Sequence, residues 1–292
     1  MKWGIKMELN NKSVLVIGAG IMGSGIAQVC AEAGYKVLVF DVDNEVIKKS
    51  IGNIKYFLNR KVEKQLITGD EYEKTVGRIN ICEDISIAKD ADLVIEAAPE
   101  NIQIKKEIFK NISNSINNGA VLATNTSTFS VTLLGSCTDR PEKVVGMHFF
   151  VPAPLMKLIE IIPGIRTSQE TLDAAFAFAV TFGKTPVKAP DTSAFLVNRL
   201  LVPMWNEAAF LVMEGNKPED IDTAMKLGAN LPMGPLELVD LGGLDTALAV
   251  ITEMYRAFGE DKYRPCPLLV KMVEAGWLGR KTGRGFYNYE KK

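Results

Sequence analysis

The chain has little histidine, few cysteines and no long apolar run, and each shortage excludes a class of protein. One histidine and four cysteines occur in 292 residues, and the cysteines show neither CxxC spacing nor the density of a disulfide framework. We therefore expect no metal centre, and we interpret the cysteines as reduced thiols of a cytoplasmic protein. No apolar run approaches the length of about 18 residues that a membrane helix needs, so no membrane span is expected.

The net charge and the chain length restrict the binding partners and the number of domains. The formal net charge of -1 gives no overall field that would attract nucleic acid or a membrane surface. The chain is long enough for two domains, and its 47% hydrophobic content is that of an ordinary globular protein. Residues 1–10 lack the apolar core and the cleavage pattern of a signal peptide, so we interpret them as a short extension before the first strand.

The most specific pattern is the segment Gly-Ala-Gly-Ile-Met-Gly at residues 18–23, because of what surrounds it. An apolar run at residues 13–17 precedes it, a helical pattern follows to Ala33, and a second apolar run at residues 36–40 stops at Asp41. Strand, glycine turn, helix, strand and terminal acid together form a dinucleotide-binding fingerprint, whereas the three glycines alone would be weak evidence.

The residues of this fingerprint have separate physical tasks. Gly18 permits the tight turn out of the strand, Gly20 leaves room for a pyrophosphate, and Gly23 lets the helix pack closely on the sheet. Ile21 and Met22 stand at the helix start, where free N–H groups and the positive end of the helix dipole favour phosphates.

Asp41 selects between the two nicotinamide cofactors. Its carboxylate is placed to accept hydrogen bonds from a ribose 2′-hydroxyl and would repel the 2′-phosphate of NADP. No arginine follows it directly, since the next residues are Val42, Asp43 and Asn44. The sequence therefore favours NAD as the cofactor.

Further apolar runs alternate with helix-like segments through the first two thirds of the chain. They lie at residues 78–82, 92–96, 120–124 and 143–148. This alternation predicts an α/β fold with a Rossmann-type, mostly parallel sheet and helices on both faces. Ligands of such folds bind beyond the carboxyl ends of the strands, which marks residues 125–127 and the region of His148 as walls of a candidate site.

A long crossover separates Asp41 from the third apolar run. Residues 46–66 are predicted to form one long helix and residues 70–76 a second, so an inserted helical pair is expected. Arg60 and Lys64 are four residues apart and share a helix face. That face is either a solvated surface or an anchor for a phosphate-bearing part of a substrate, and the pattern leaves both open.

The pattern changes near residues 190–200, where a proline-containing link precedes a purely helical region. Predicted helices occupy residues 196–213, 218–227 and 267–274, with another from Pro235 onward. We assign residues 11–192 to a dinucleotide-binding Rossmann-type domain and residues 193–292 to an all-α domain. The apolar content of the second domain exceeds what a small bundle needs internally, which predicts a subunit interface.

The single histidine is the strongest candidate for catalysis. Hydride transfer at a carbinol carbon needs a partner for the hydroxyl proton, and imidazole suits that task near neutral pH. A lone histidine is often structural, but His148 ends a predicted strand on the side where ligands bind. If the chain reverses around Pro154, Glu160 falls opposite His148, and its apolar neighbours indicate a buried carboxylate that needs a partner. Ser127 and Asn198 are weaker candidates, since both residue types commonly form caps or turns.

Ordered motifs extend through nearly the whole chain, from about residue 12 onward. They are the glycine-rich segment at 18–23, NTS at 125–127, MHFF at 147–150, MKLIE at 156–160, FLVNR at 195–199, MGPLEL at 233–238 and LGRKTGRGFY at 278–287. This set resembles the short-chain L-3-hydroxyacyl-CoA dehydrogenases, a family that includes the bacterial 3-hydroxybutyryl-CoA dehydrogenases. The resemblance implies an NAD cofactor and an acyl-CoA substrate.

The resemblance also implies a role for each candidate residue. His148 is implied to be the catalytic acid and base, with Glu160 as its partner. Ser127 and Asn198 are implied to hydrogen-bond the reacting oxygen or the thioester carbonyl, and Asp41 to hold the adenine ribose. The residues implied to lie along the NAD site are Glu100, Lys105 and Asn125.

For the remaining parts of the chain, the resemblance implies coenzyme A binding and dimerisation. The inserted helical pair is implied to receive coenzyme A, which suits Arg60 and Lys64. The second domain is implied to pair two subunits into a homodimer. One residue departs from the family pattern: Val151 stands where the family usually has Asn, so a polar contact near the substrate is missing and substrate preference or turnover can differ.

The sequence thus predicts an NAD-dependent enzyme that transfers a hydride at C3 of a short-chain 3-hydroxyacyl-CoA or its 3-keto counterpart. Two alternatives stay open: a related hydroxy-acid dehydrogenase that does not use coenzyme A, and a non-catalytic NAD(H)-binding protein.

Overall fold

The structure, a computed structural model, describes residues 12–290. The extension expected at residues 1–10 and the expected first residue of the dinucleotide domain, Asn11, lie outside the described residues. The chain divides into two units between Asp191 and Thr192.

Within the described residues, the first unit holds one eight-stranded sheet. Its strands are β1 (Ser13–Ile17), β2 (Lys36–Phe40), β3 (Ile79–Ile81), β4 (Leu93–Glu96), β5 (Val121–Thr124), β6 (Val144–Phe149), β7 (Leu158–Pro163) and β8 (Thr185–Lys188). They lie in the order β3-β2-β1-β4-β5-β6-β7-β8. Strands β1 to β6 are parallel, β7 is antiparallel to β6, and β8 is parallel to β7. The carboxyl ends of the first six strands therefore meet the amino ends of β7 and β8 at one edge, which we call the carboxyl edge.

Helices connect these strands. They are α1 (Ile21–Glu32), α2 (Asn44–Glu63), α3 (Gly69–Gly77), α4 (Ile102–Ser115), α5 (Val131–Gly135) and α6 (Gln169–Thr181). The inserted pair, α2 and α3, is confirmed, although the ends of α2 differ from the expected residues 46–66. It begins earlier because the Asp43 side chain accepts a hydrogen bond from the Glu45 N–H at 2.9 Å, and Gln65, with a φ of 55°, lies beyond its end.

Both faces of the central parallel strands are buried, as strands between helical layers require, whereas the edge strands β3 and β8 are more exposed. Val14 and Val16 face one side and Leu15 the other, and all three are fully buried. On the first side, Val14 and Val16 belong to one apolar cluster with Ile26 of α1 and Phe178 of α6. Because this packing leaves little freedom to the strands, polar residues at the strand ends are held in defined positions.

The second unit is helical. It comprises α7 (Val197–Met213), α8 (Pro218–Gly228), α9 (Pro235–Gly242), α10 (Leu244–Phe258) and α11 (Pro267–Glu274). The pattern from Pro235 onward, expected as one helix, forms two, because Gly243 has a φ of 99° and interrupts the helical backbone. The expected fold class, a Rossmann-type sheet followed by an all-α domain, is confirmed. Among residues 12–290, no helix has both the length and the apolar character needed to cross a membrane.

Two buried carboxylates fasten the C-terminal segment of the helical unit. Asp240 accepts hydrogen bonds from the N–H groups of Phe286 and Tyr287 and from the Tyr289 hydroxyl, each at 3.0 Å. Asp222 accepts a hydrogen bond from the Tyr287 hydroxyl at 2.8 Å. Burial raises the pKa of Asp240, although these donors favour its charged form. The segment is therefore attached by polar contacts as well as by packing.

We expect Asp240→Ala to lower the free energy of unfolding by about 2–4 kcal/mol, because two backbone N–H groups lose their acceptor. Urea unfolding followed by circular dichroism measures the change. The exposed Asp261, replaced in the same way, serves as the control and is expected to change stability by less than about 0.5 kcal/mol. Equal stabilities of the two variants would contradict the role given to Asp240.

Candidate active site

The centre of the candidate site is a buried imidazole–carboxylate pair on neighbouring strands. His148 and Glu160 are directly opposed in the antiparallel register of β6 and β7, which confirms the register expected from a chain reversal around Pro154. The imidazole Nδ1 lies 2.7 Å from Glu160 Oε2, and the two residues are 5% and 0% exposed. In this geometry the Nδ1–H donates to the carboxylate, so the Glu160 carboxylate orients the ring.

Asn125 links the histidine strand to the neighbouring strand end. It directly follows β5, and its side-chain Oδ1 accepts a hydrogen bond from the Phe149 N–H at 2.9 Å. Its own N–H donates to the Glu96 carbonyl at 2.7 Å, at the end of β4. Asn125 thus connects the ends of three adjacent strands, and one of its contacts lies on the residue next to His148.

The glycine turn at the end of β1 has the geometry that a dinucleotide requires. Gly18 has a φ of +97°, and a Cβ on Gly23 would lie 1.7 Å from the Gly18 carbonyl oxygen, so both positions exclude a side chain. A Cβ on Gly20 would meet no atom within 4 Å, so space is open beside it. Gly20 precedes α1, and no side chain of the described residues caps that helix start. Exposed Ile21 (83%) and half-buried Met22 open the helix, whose N–H groups fit a pyrophosphate.

Asp41 lies beside this turn, directly after β2. Its Oδ2 accepts a hydrogen bond from the Ala19 N–H at 2.7 Å, and its Oδ1 accepts one from the Asp43 N–H at 3.1 Å. The carboxylate is therefore oriented by the backbone of the glycine turn. This position fits a residue that binds the ribose of the nucleotide held at the same turn.

A second polar cluster at the carboxyl edge joins β4, α4 and the segment after β5. The buried ammonium of Lys105 lies 2.7 Å from Glu96 Oε1 and 3.2 Å from Glu100 Oε2. Glu96 is fully buried and also accepts a hydrogen bond from the Thr124 hydroxyl at 2.6 Å. Glu96 is not among the residues expected from the sequence patterns, although a charged residue at the end of the apolar run 92–96 was a usable sign of a buried ion pair.

Glu100 fixes the loop that carries Ser127. Its Oε1 accepts hydrogen bonds from the Thr126 hydroxyl at 2.5 Å, the Thr128 hydroxyl at 2.8 Å and the Ser127 N–H at 3.1 Å. Burial opposes its charged form, but the Lys105 ammonium and the two threonine hydroxyls outweigh burial and lower the pKa of Glu100. The structure therefore brings Glu100, Lys105 and Ser127 into one cluster.

The remaining candidate residues lie in other elements or loops. Arg60 and Lys64 are exposed at the end of α2, and Arg60 Nε lies 3.7 Å from Glu63 Oε2. At 1.5 Å of rise per residue, Arg60 stands roughly 24 Å along the helix from Asn44. Asn198 lies in the first turn of α7, in the helical unit. Val151 follows β6 and is 61% exposed.

Together these features set what the first unit can do chemically. A dinucleotide turn and a paired imidazole at the same edge of a parallel sheet allow a nucleotide cofactor and a proton-transfer group to serve one substrate. Among residues 12–290, no group of three or more His, Cys, Asp or Glu side chains is arranged to bind a metal ion. The class of protein defined in this way is the nicotinamide-dependent dehydrogenases.

Comparison with known proteins specifies the family within this class. The model described as "3-hydroxyacyl-CoA dehydrogenase, NAD binding domain" matches residues 13–192, and the model of the "C-terminal domain" of the same family matches residues 195–289. The chain belongs to the 3-hydroxyacyl-CoA dehydrogenase family, and its cofactor is NAD.

Individual relatives are similar over nearly their whole length. A protein of Bacillus subtilis named "Probable 3-hydroxybutyryl-CoA dehydrogenase" is 48% identical over 96% of this chain and 98% of its own length. The 3-hydroxybutyryl-CoA dehydrogenase of Bradyrhizobium diazoefficiens is 47% identical over 95% of each chain. The crystal structure of (S)-3-hydroxybutyryl-CoA dehydrogenase from Ralstonia eutropha matches with a TM-score of 0.93 at 42% identity, and covers 97% of this chain and 100% of that one.

We expect Lys105→Met to lower the free energy of unfolding by about 3–5 kcal/mol, because Glu96 would keep a buried charge without its cation. Urea unfolding without cofactor measures the loss, and Lys110→Met, at an exposed position of α4, is the matched control. Adding Glu96→Gln to Lys105→Met should restore part of the stability, since the unpaired charge is then gone. A loss below about 1 kcal/mol in the single variant would contradict the ion pair.

Proposed function

We propose that this chain interconverts a short-chain L-3-hydroxyacyl-CoA and its 3-ketoacyl-CoA, with 3-hydroxybutyryl-CoA and acetoacetyl-CoA as the preferred pair. The observation that carries the proposal is the buried contact between His148 and Glu160 at the sheet edge that also holds the dinucleotide turn. The names of the relatives support the acyl chain length, since both bacterial proteins above are called 3-hydroxybutyryl-CoA dehydrogenases.

The proposed chemistry assigns one task to each residue of the pair. Bound NAD supplies the acceptor for the hydride that leaves C3. His148, with Nδ1 directed to Glu160, uses Nε2 to take the proton of the 3-hydroxyl group, and in the reverse direction it returns that proton to the 3-keto oxygen. The Glu160 carboxylate, 2.7 Å away, stabilises the ring when it carries both protons.

The remaining candidate residues receive roles that surround this step. We assign Asp41 to the adenine ribose, and Glu100, Lys105 and Asn125 to the NAD site, consistent with their positions at or near the carboxyl edge. Ser127 and Asn198 are assigned to the reacting oxygen or to the thioester carbonyl. The exposed cations Arg60 and Lys64 are assigned to the phosphates of coenzyme A, which their charge suits.

Assembly and location complete the proposal. Within residues 192–290, large apolar side chains are exposed at Leu200 (76%), Leu227 (82%) and Leu241 (52%), which fits a helical unit that pairs with a second copy. All four cysteines are free thiols, which suits the reducing cytoplasm.

Mixing the protein with acetoacetyl-CoA and NADH and following NADH absorbance tests the function. We expect wild-type turnover, and a fall in kcat of about 10²–10⁴-fold in His148→Gln, because the proton-transfer group is lost. Fluorescence titration of NADH is expected to give the same affinity for both proteins, since His148 is not assigned to the cofactor site.

Other outcomes decide between the alternatives. NADH binding without turnover of any acyl thioester would favour a non-catalytic NAD(H)-binding protein. Faster turnover of free acetoacetate than of its coenzyme A thioester would favour a hydroxy-acid dehydrogenase that does not use coenzyme A. Near wild-type kcat in His148→Gln would remove the assigned proton transfer.

Light scattering after gel filtration tests the assembly. We expect a mass about twice the 32.0 kDa of one chain. Replacing Leu200 and Leu227 together by Asp should lower this mass, because charges in an apolar interface are costly to bury. A wild-type mass of one chain, independent of concentration, would contradict the dimer.

A further inference from the structure

Lys184 has none of the roles assigned so far, yet its ammonium contacts the turn at residues 150–157. This turn connects β6, which carries His148, to β7, which carries Glu160. Lys184 stands between α6 and β8, at the carboxyl edge where β8 begins. Its Nζ donates to the Ala153 carbonyl at 2.7 Å, the Pro154 carbonyl at 3.3 Å and the Met156 carbonyl at 2.7 Å. An ammonium has three donors, so this single turn accounts for the whole donor capacity of Lys184.

These contacts are made in a partly desolvated place. Burial is the main reason that the pKa of Lys184 lies below its usual range, with the Lys61 ammonium acting in the same direction and Glu32 against it. Lysine side chains are normally solvated, and a lysine that gives up water to bind carbonyl groups must recover that loss through the contacts it makes. The fit of the turn around Lys184 is therefore specific.

The same turn also packs closely against the dinucleotide helix. Gly25 of α1 lies so close that a Cβ there would be 3.1 Å from Ala153 Cβ and 3.2 Å from Pro154 Cδ. The residue after Lys184 adds a backbone contact, since the Thr185 N–H donates to the Lys157 carbonyl at 2.7 Å. The turn is thus contacted both by α1 and by the start of β8.

The turn determines where the catalytic pair can lie. It lies between two strand ends, Phe149, the last residue of β6, and Leu158, the first residue of β7. His148 and Glu160 are each within two residues of these ends, so a shift of the turn moves one strand end relative to the other. A misplacement of about 1 Å in a catalytic geometry can reduce a rate by about 10²-fold.

We propose that Lys184 is a positioning residue for the reaction: by tying three carbonyl groups of the turn at residues 150–157, it maintains the contact between His148 and Glu160. The inference rests on the proposed function for its kinetic consequence. Its structural part, the effect on the imidazole hydrogen bond, stands without any assumption about the substrate.

Kinetics of Lys184→Met test the kinetic consequence of the proposal. This variant keeps the length of the side chain and loses the donors. We expect kcat with acetoacetyl-CoA and NADH to fall about tenfold, with KM for both changed less than about twofold, because the turn supports the reacting group and not the binding sites. Lys184→Arg, which keeps charge and donors, should restore at least half of the lost kcat, and Lys188→Met, an exposed lysine of β8, is the matched control.

Proton NMR tests the structural part, the effect of Lys184 on the imidazole hydrogen bond. The assignment of the imidazole signal is unambiguous because the chain has one histidine. In the wild type we expect a slowly exchanging Nδ1–H signal from His148. In Lys184→Met this proton should exchange with water at least about tenfold faster, since the strand ends that carry the hydrogen bond are less firmly held. Gly25→Ala, whose added Cβ would crowd Ala153 and Pro154 and displace the turn, should show the same change and provides a second variant if Lys184→Met does not fold.

The outcomes separate the two proposals. Wild-type kcat and unchanged Nδ1–H exchange in a Lys184→Met protein that only melts at a lower temperature would reduce Lys184 to a stabilising residue and overturn the inference. Absence of wild-type turnover would overturn the proposed function, while the exchange measurement would still decide whether Lys184 positions the imidazole.

Discussion

The hydrogen bond between His148 Nδ1 and Glu160 Oε2 is the contact on which the candidate site depends. Both groups are almost completely buried, so neither has bulk water as an alternative partner. A buried carboxylate without a donor is costly, and the imidazole satisfies that need while it receives a fixed orientation. Among the strands of the described residues, direction changes once, between β6 and β7, and their antiparallel pairing sets the two residues opposite each other.

The polar residues around this pair are also held in place by hydrogen bonds or ion pairs with neighbouring groups. Polar residues at the carboxyl edge are fixed by groups on the neighbouring strand or helix, as Asn125 is by Phe149 and Glu100 is by Lys105. Lys105 is in turn held by its buried ion pair with Glu96. A site built on strand ends and supported by such a layer is more rigid than one carried by loops alone, which suits a reaction that needs defined positions for two transferred particles.

Much of the fold could be read from local patterns. The strands at 13–17 and 36–40 and the helix of residues 267–274 have the bounds that their apolar periodicity predicts. The pairing of His148 with Glu160 was also predictable, because two prolines lie between two apolar segments. Gly243 shows where prediction from local patterns fails. Its positive φ divides a continuous helical pattern into α9 and α10, and the pattern itself does not indicate where the backbone leaves the helix.

The amino-acid sequence by itself determined the dinucleotide turn, the preference for NAD and the identity of the one imidazole, because these depend on residue type and short spacing. Only the tertiary structure decided which groups support them. Glu96 and Lys105 are nine residues apart, but Lys184 meets its carbonyl partners across about thirty residues of chain, and nothing in the local sequence indicates such a meeting. Long-range contacts of this kind arise from the packing of whole strands and helices, which no short segment encodes.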